Sequence, residues 1–233
     1  MTRLGELTWP EVAARPGILL VPLGSTEQHG PHLPLDTDTR IAVGVAERVA
    51  ARLVVDDSAA SAASVAPPLA IGASGEHAGF AGTLSIGATV FEEAVVELAR
   101  SADAFDGVVW VNAHGGNGAA LARAHARLEA EGRRSLVLAC SVPGADAHAG
   151  RTETSLMLAL APHLVRLDRA AAGDVRRWRE IADEVVEHGV ASVSPNGVLG
   201  DPAGASAAEG EELLGDLVDR LAAAVARWAR AAH

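Results

Sequence analysis

The segment of residues 27–38 is the part of this sequence with the clearest capacity for chemistry. Its ligand-type side chains are Glu27, His29, His32, Asp36 and Asp38. The segment follows the apolar run of residues 17–23, which predicts a buried strand. Carboxylate oxygens and imidazole nitrogens without thiolate are ligands that Zn, Mn and Fe accept. The pattern therefore predicts a metal site in the loop after a strand.

Two further segments place ligand-type residues after apolar stretches. Residues 112–117 contain His114, and residues 148–155 contain His148 and Glu153. Together with the first segment they supply glutamate, aspartate and histidine from three separate loops. This combination is typical of a metallohydrolase, in which the cation activates water.

Spacing distinguishes the residues of the first segment. One residue separates Glu27 from His29, so in an extended chain both side chains point to the same side. Both can then contact one cation or two adjacent ones. Asp36 and Asp38 compete as the third ligand. Asp36 is placed to cap the following helix, so we favour Asp38 as a carboxylate that bridges two cations. His32 is expected to contact the ligands or the substrate.

The other two segments leave some roles open. Gly115 and Gly116 follow His114 and allow the backbone to approach a ligand closely. Glu153 begins a predicted helix, where it is either a metal ligand or a cap that interacts with the helix dipole. His148 is interpreted as a group that stabilises the tetrahedral intermediate or protonates the leaving amine, with a surface histidine as the alternative.

Strand and helix patterns alternate along the chain, which predicts βαβ units and a parallel sheet. Strands are predicted at residues 17–23, 64–66, 107–111 and 135–140, with helices between them, a surface connection at 56–63 and a closing helix at 209–230. The Gly-rich loop of residues 71–87 contains Glu76 and His77, which show no ligand spacing and are expected only to line the pocket. All three motif loops follow the carboxyl ends of predicted strands, where open α/β sheets bind ligands.

Composition narrows the class of protein. The chain has 233 residues, 49% of them hydrophobic, and we expect a single domain over residues 1–233. Its net charge of −11 argues against nucleic acid and against an anionic membrane surface. No apolar stretch is long enough to cross a bilayer. Cys140 is the one cysteine, which excludes an internal disulfide and fits a reducing compartment, so we expect a cytoplasmic protein.

The three motifs, Glu27 to His32, Asn112 to Asn117 and Glu153 to Ser155, occur in an order and spacing that resemble the creatininase family of dinuclear metal amidohydrolases. The resemblance covers nearly the whole chain. It implies a three-layer α/β/α fold with a mostly parallel central sheet, assembled into hexamers or larger rings. It also implies two divalent metal ions (Zn, Fe or Mn). The family's ligands fall on Glu27, His29, Asp38 and His114.

Two features depart from creatininase itself. Creatininase has a metal-binding glutamate two positions after the last of those histidines, where this chain has Gly116. Glu153 is the expected replacement as ligand. Creatininase also closes over its substrate with tryptophans, and no tryptophan lies near the His148 loop in the sequence. This argues against creatinine as the substrate.

Further segments, among them residues 24–40 and 146–155, resemble a peptidase branch of the family. Those peptidases release a modified C-terminal Val-Tyr-derived unit from a short, ribosomally made precursor peptide during redox-cofactor biosynthesis. The resemblance implies a metal-dependent peptidase. We expect His148 and Glu153 to be its catalytic residues. The first alternative is a creatininase-type hydrolase of a small cyclic amide or a formamide, such as a formamidopyrimidine. The second is a metal-binding scaffold without catalysis.

Overall fold

The computed structural model describes residues 2–55 and 62–231, and a five-stranded parallel sheet lies at the centre of these residues. The strands are β1 (Thr2–Arg3), β2 (Ile18–Leu23), β3 (Ala63–Val65), β4 (Gly107–Asn112) and β5 (Ser135–Ala139). They lie in the order β1-β3-β2-β4-β5, and all four neighbouring pairs are parallel. Most of the predicted connection at residues 56–63 falls outside the described residues.

Helices follow the strands as the alternating pattern predicts. They are α1 (Trp9–Ala14), α2 (Thr37–Val55), α3 (Gly87–Arg100), α4 (Gly118–Ala130), α5 (Arg151–Leu160), α6 (Trp178–His188), α7 (Val190–Val193) and α8 (Ala207–Arg230). β1, α1 and α7 were not predicted from the sequence, because they are too short to show a period. The start of α1 does carry a capping signal, because the Glu11 carboxylate accepts from the backbone N–H and the hydroxyl of Thr8.

Both faces of the sheet are covered by helices, so the expected three-layer α/β/α fold is confirmed. Leu20 and Val109 pack into a core with α2, α5 and α8 on one face. Val21 and Trp110 pack into a second core with α3 and α4 on the other. Neighbouring residues of a strand point to opposite faces, and burial on both explains why the strands are continuously apolar.

The register of the strands brings the motif loops together. Leu23, the last residue of β2, is paired with Asn112 of β4, which is paired in turn with Ala139 of β5. The loops that leave these residues therefore begin side by side at the carboxyl edge. Among the described helices, none combines the length and the apolar character that crossing a membrane requires.

Candidate metal centre

The loop after β2 and the first turn of α2 carry the first three predicted ligands. Glu27 and His29 are fully buried in that loop, and Asp38 is buried in the helix. The hydroxyl of Ser25 donates to Asp38 Oδ2 at 2.7 Å, and the hydroxyl of Thr39 donates to the Ser25 carbonyl at 3.0 Å. These two bonds fix the loop against the helix.

Asn117 ties the neighbouring loops to each other. Its side-chain amide donates to the Gly24 carbonyl and to Asn112 Oδ1, each at 3.1 Å, and its oxygen accepts from the backbone N–H of Ala73 at 2.9 Å. Asn112 in turn donates to the His114 carbonyl at 2.8 Å. The two asparagines therefore hold the His114 loop against the loops that follow β2 and β3.

The predicted ligands converge on one buried cluster. His29 Nε2 lies 3.0 Å from Asp38 Oδ1, and His114 Nδ1 lies 3.1 Å from Asp38 Oδ2. Glu27 Oε1 is 3.3 Å from His114 Nδ1. Glu153 Oε2 is 3.9 Å from His29 Nε2. Asp38 thus lies between two sets of donors, the position of a bridging carboxylate.

Three groups of these residues have ligand atoms within 4.8 Å of one another, so each could hold a cation. They are Glu27, Asp38 and His114; His29, Asp38 and Glu153; and Glu27, His29 and His148. The first two groups share Asp38. A divalent metal ion fits either of these two groups.

Backbone carbonyls leave one nitrogen of each central histidine free for a cation. His29 Nδ1 lies 3.2 Å from the Glu27 carbonyl, and His114 Nε2 lies 3.0 Å from the Ala73 carbonyl. A carbonyl only accepts, so each of these nitrogens keeps its proton when the other nitrogen of the ring binds a cation. Those other nitrogens face Asp38, and a carbonyl that holds one ring nitrogen in this way orients a metal-binding histidine.

The Glu27 carboxylate is itself evidence for a cation. It is 0% exposed, and neither oxygen has a hydrogen-bond partner among the described residues. A buried carboxylate without partners is costly. Its imidazole neighbours and the all-oxygen-and-nitrogen donor set suit a divalent metal ion, which would satisfy both oxygens.

The charges of the cluster act strongly on its two central histidines. Burial alone lowers the pKa of His29, but the charge and hydrogen bond of Asp38, aided by Glu153 and Glu27, outweigh it and raise that pKa to about 10. Burial also opposes the charged form of His114, but Asp38 and Glu27 raise its pKa well above the usual value. Burial raises the pKa of Glu153 to about 7 against the pull of His29. The carboxylates thus attract positive charge to the position where a cation would bind.

Glu153 lies in the first turn of α5, where the helix-dipole alternative also places it, but Asp146 makes the hydrogen bonds to the first helical N–H groups. Asp146 accepts from the N–H groups of Arg151 and Thr152, the first residues of the helix. Glu153 Oε2 instead accepts from the N–H of Ala149 at 2.6 Å, before the helix begins, and Ala149 has a φ of 53°. The Glu153 carboxylate is therefore turned toward the cluster.

The structure adds two residues that the spacing did not single out as part of the cluster. His77 Nε2 lies 3.3 Å from Glu27 Oε1, and the side-chain amide nitrogen of Gln28 lies 2.9 Å from His77 Nδ1. The predicted His148 is beside them, with its ring 4.5 Å from that of His77. The available signal for His77 was its place in the loop that follows β3, at the same edge of the sheet.

Two candidates of the first segment lie outside the cluster. Asp36 is half-exposed and pairs with the Arg40 guanidinium at 2.8 Å, which supports the choice of Asp38. His32 is buried, and its Nε2 is 2.9 Å from the hydroxyl of Thr154 in α5. His32 therefore anchors the first loop to the third motif.

Two cavities flank the cluster. The smaller, of about 310 Å³, is lined by Asp38, His114, His148 and Glu153 among others. The larger, of about 680 Å³, has a polar side with Glu27, Glu76, His77, His114 and His148 and an apolar side with Trp178, Val185, Val186, Val190 and Leu199. Trp178 is far from the His148 loop in the sequence but lines the same cavity. The lack of a tryptophan near His148 in the sequence therefore does not argue against creatinine as the substrate.

Known proteins resemble this chain over most of its length. The family model for creatininase, described as creatinine amidohydrolase, matches residues 5–225. A mycofactocin precursor peptide peptidase of Mycolicibacterium smegmatis is 49% identical over 229 residues, covering 97% of this chain and 91% of that protein. A mycofactocin precursor peptide peptidase of Mycobacterium ulcerans is 48% identical over 223 residues, covering 95% of this chain and 86% of that protein.

Solved creatininase structures share the fold. A creatininase designated Mn superposes with a TM-score of 0.77 and 27% identity over 96% of this chain and 97% of that chain. A creatininase mutant of Zn–Zn type superposes with a TM-score of 0.78 and 28% identity, covering 95% of this chain and 96% of that chain. Together with the donor set of the cluster, these neighbours support the binding of divalent metal. The chain belongs to the creatininase family.

Proposed function

We propose that this protein is a mycofactocin precursor peptide peptidase. As a member of its family it is a hydrolase of C–N bonds. The substrate of the proposed reaction is a short, ribosomally made precursor peptide. The products are the shortened peptide and the modified C-terminal Val-Tyr-derived unit.

The observation that carries the proposal is the larger cavity, which opens directly on the ligand cluster. One wall is apolar, with Val185 and Val190 from α6 and α7 and with Leu199. An apolar wall of this size suits a valine and an aromatic side chain. The opposite wall presents Glu27 and three imidazoles to the amide bond of a peptide lying in the cavity.

We assign the metal ligands from the two residue groups that share Asp38. Glu27 and His114 would hold one divalent ion, His29 and Glu153 the second, and Asp38 would bridge them. Such ions activate water and polarise an amide carbonyl. Zn, Fe and Mn all accept these ligands.

The remaining roles belong to side chains over the cluster. Asp38 and Glu27 orient the imidazoles of His29 and His114. The apolar side chains of α6 that line the cavity keep bulk water away from the substrate amide. His148 and Glu153 are the catalytic groups of the proposal, because both line the smaller cavity beside the ligands.

A second candidate is a creatininase-type hydrolase of a small cyclic amide or a formamide. Trp178 favours it, because this side chain is 48% exposed and borders the cavity that contains His148. A flat ring could stack on the indole face. The relatives at 48–49% identity favour the peptidase.

The two candidates separate in one experiment. The purified protein, loaded with Zn, Mn or Fe, is incubated with a synthetic precursor peptide that carries the modified C-terminus, with the same peptide unmodified, and with creatinine. We expect mass spectrometry to detect release of the modified unit from the first. Hydrolysis of creatinine at a comparable kcat/KM, or of neither peptide, would contradict the peptidase proposal.

The proposal also includes the state of the protein in the cell. We propose one domain over residues 1–233, a cytoplasmic location, which a single unpaired cysteine favours, and a homo-oligomer in the form of a hexamer or larger ring. The exposed apolar side chains of Trp9 and Val90 favour contacts between subunits. Sedimentation velocity measures the assembly directly.

A further inference from the structure

The buried side-chain amide of Gln28 connects the first motif loop to two histidines. Its oxygen accepts from the backbone N–H of Gly30 at 2.8 Å. A backbone N–H only donates, so this bond determines which end of the amide is oxygen and which is nitrogen. The Gln28 nitrogen then points toward His77, His148 and the carbonyl of Gly197.

The two hydrogens of that nitrogen have two acceptors. One is the Gly197 carbonyl at 3.0 Å. The other is His77 Nδ1 at 2.9 Å. His148 Nε2 is 3.1 Å away, but it also lies 2.8 Å from the Gln28 backbone carbonyl, which can only accept. His148 Nε2 is therefore a donor to that carbonyl and not an acceptor from the amide.

These bonds assign a tautomer to each ring. His77 Nδ1 accepts, so its proton is on Nε2, which lies 3.3 Å from Glu27 Oε1. His148 carries its proton on Nε2 as well, but this ring is turned the other way, and its bare Nδ1 lies 3.8 Å from the same Glu27 oxygen. Two adjacent imidazoles thus face the larger cavity with opposite hydrogen-bonding character.

The backbone of Gly197 packs directly against the Gln28 amide. It has a φ of +79°, and a Cβ at this position would lie within 1.9 Å of Gln28 Oε1. A larger residue would displace the amide from His77 and from the Gly197 carbonyl. The close approach of the Gly197 backbone is therefore required for the Gln28 contacts.

We propose that Gln28 positions both rings: its side-chain amide makes His77 a hydrogen-bond donor toward the reacting amide, and its backbone carbonyl makes His148 an acceptor. This rests on the proposed peptidase function. His77 donates a hydrogen bond to the carbonyl oxygen of the substrate amide as negative charge develops on it. His148 Nδ1 accepts the proton of the attacking water and passes it to the nitrogen of the leaving amine. Stabilisation of the tetrahedral intermediate, one of the roles expected of His148 from the sequence, is thereby assigned to His77.

The first test needs no substrate. In the zinc-loaded protein, long-range ¹⁵N–¹H correlation spectra report the tautomer of each labelled histidine. We expect the Nε2–H form for His77 and His148. In Gln28→Glu a carboxylate, which only accepts, replaces the amide nitrogen, so His77 should change to the Nδ1–H form while His125, bonded to Ser135, stays unchanged. An Nδ1–H form of His77 in the unaltered protein would overturn the proposal.

The second test is kinetic. Gln28→Met removes the donor without adding charge and should lower kcat by about tenfold with little change in KM or bound zinc. His77→Phe should lower kcat by about 100-fold, and His77→Gln should restore part of it by supplying an N–H. Equal kcat for His77→Phe and the unaltered protein would contradict the donor role. Absence of any peptide cleavage would instead contradict the proposed function and leave the spectroscopic result to decide the tautomers.

Discussion

The carboxylate of Glu76 lies against Gly116, where no other residue type would leave it room. A Cβ on Gly116 would come 2.3 Å from Glu76 Oε1, 2.5 Å from His114 Nε2 and 2.5 Å from the Ala73 carbonyl. Glu76, from the loop after β3, reaches within 3.7 Å of His114 Nε2. It occupies the space beside Gly116 without joining any of the three ligand groups.

Gly116→Ala should therefore displace the Glu76 carboxylate and the His114 ring. We expect the free energy of unfolding to fall by about 1–3 kcal/mol and the bound metal to fall with it, measured by denaturant unfolding and elemental analysis. Gly118→Ala is the matched control, because a Cβ there meets nothing within 4 Å. Equal metal content in the two variants would contradict the packing argument.

Asp38→Asn should remove the carboxylate that both proposed cation sites share. We expect loss of both metal equivalents and of turnover, because an amide cannot balance two cations. Asp36→Asn is a close control, since Asp36 pairs with Arg40 outside the cluster. If Asp38→Asn retained two metals per chain and the unaltered rate, the bridging assignment would be wrong.

Glu153→Gln tests the second cation separately. The amide oxygen can still accept from the Ala149 N–H, so the start of α5 should remain intact. Loss of the charge should lower metal content from two equivalents to one and reduce kcat. Unchanged metal content would leave Glu153 as a residue that holds the Ala149 loop, and the second cation would then need another ligand.

Metal binding should release protons at neutral pH. His29 has a pKa raised to about 10 by its carboxylate neighbours, so it is protonated below that pH in the metal-free protein, whereas binding requires bare Nε2. Affinity should therefore rise with pH, by about tenfold per unit for each proton released, up to about pH 10. Calorimetry in buffers of different ionisation enthalpy measures the released protons. An affinity independent of pH between 6 and 9 would exclude His29 as a ligand.

Chelation should abolish turnover, and a divalent transition metal should restore it. The reason is the buried carboxylate of Glu27, whose oxygens have no hydrogen-bond partner among residues 2–55 and 62–231 to replace the cation. Residual activity in a sample shown to be metal-free would contradict the proposed mechanism. Comparing Zn, Mn and Fe in the same reconstitution identifies the ion that supports the highest kcat.

Local patterns predicted most of the scaffold. The predicted strands that correspond to β2, β4 and β5 lie within a few residues of the observed ones, because burial on both faces of a sheet requires continuous apolar runs. The short β1 and α1 were not predicted, because elements of this length show no hydrophobic periodicity. The ligand loops were found because their residue types are concentrated in sequence.

By itself the sequence determined the family, the α/β order and the set Glu27, His29, Asp38, His114, His148 and Glu153. Only the tertiary structure decided which further side chains meet that set: His77 beside Glu27, Glu76 in the space left by Gly116, and Trp178 across the cavity from His148. The physical reason is that these contacts join loops far apart in the chain. Their geometry depends on how the strands pair and how α6 packs, and no local spacing encodes those relationships.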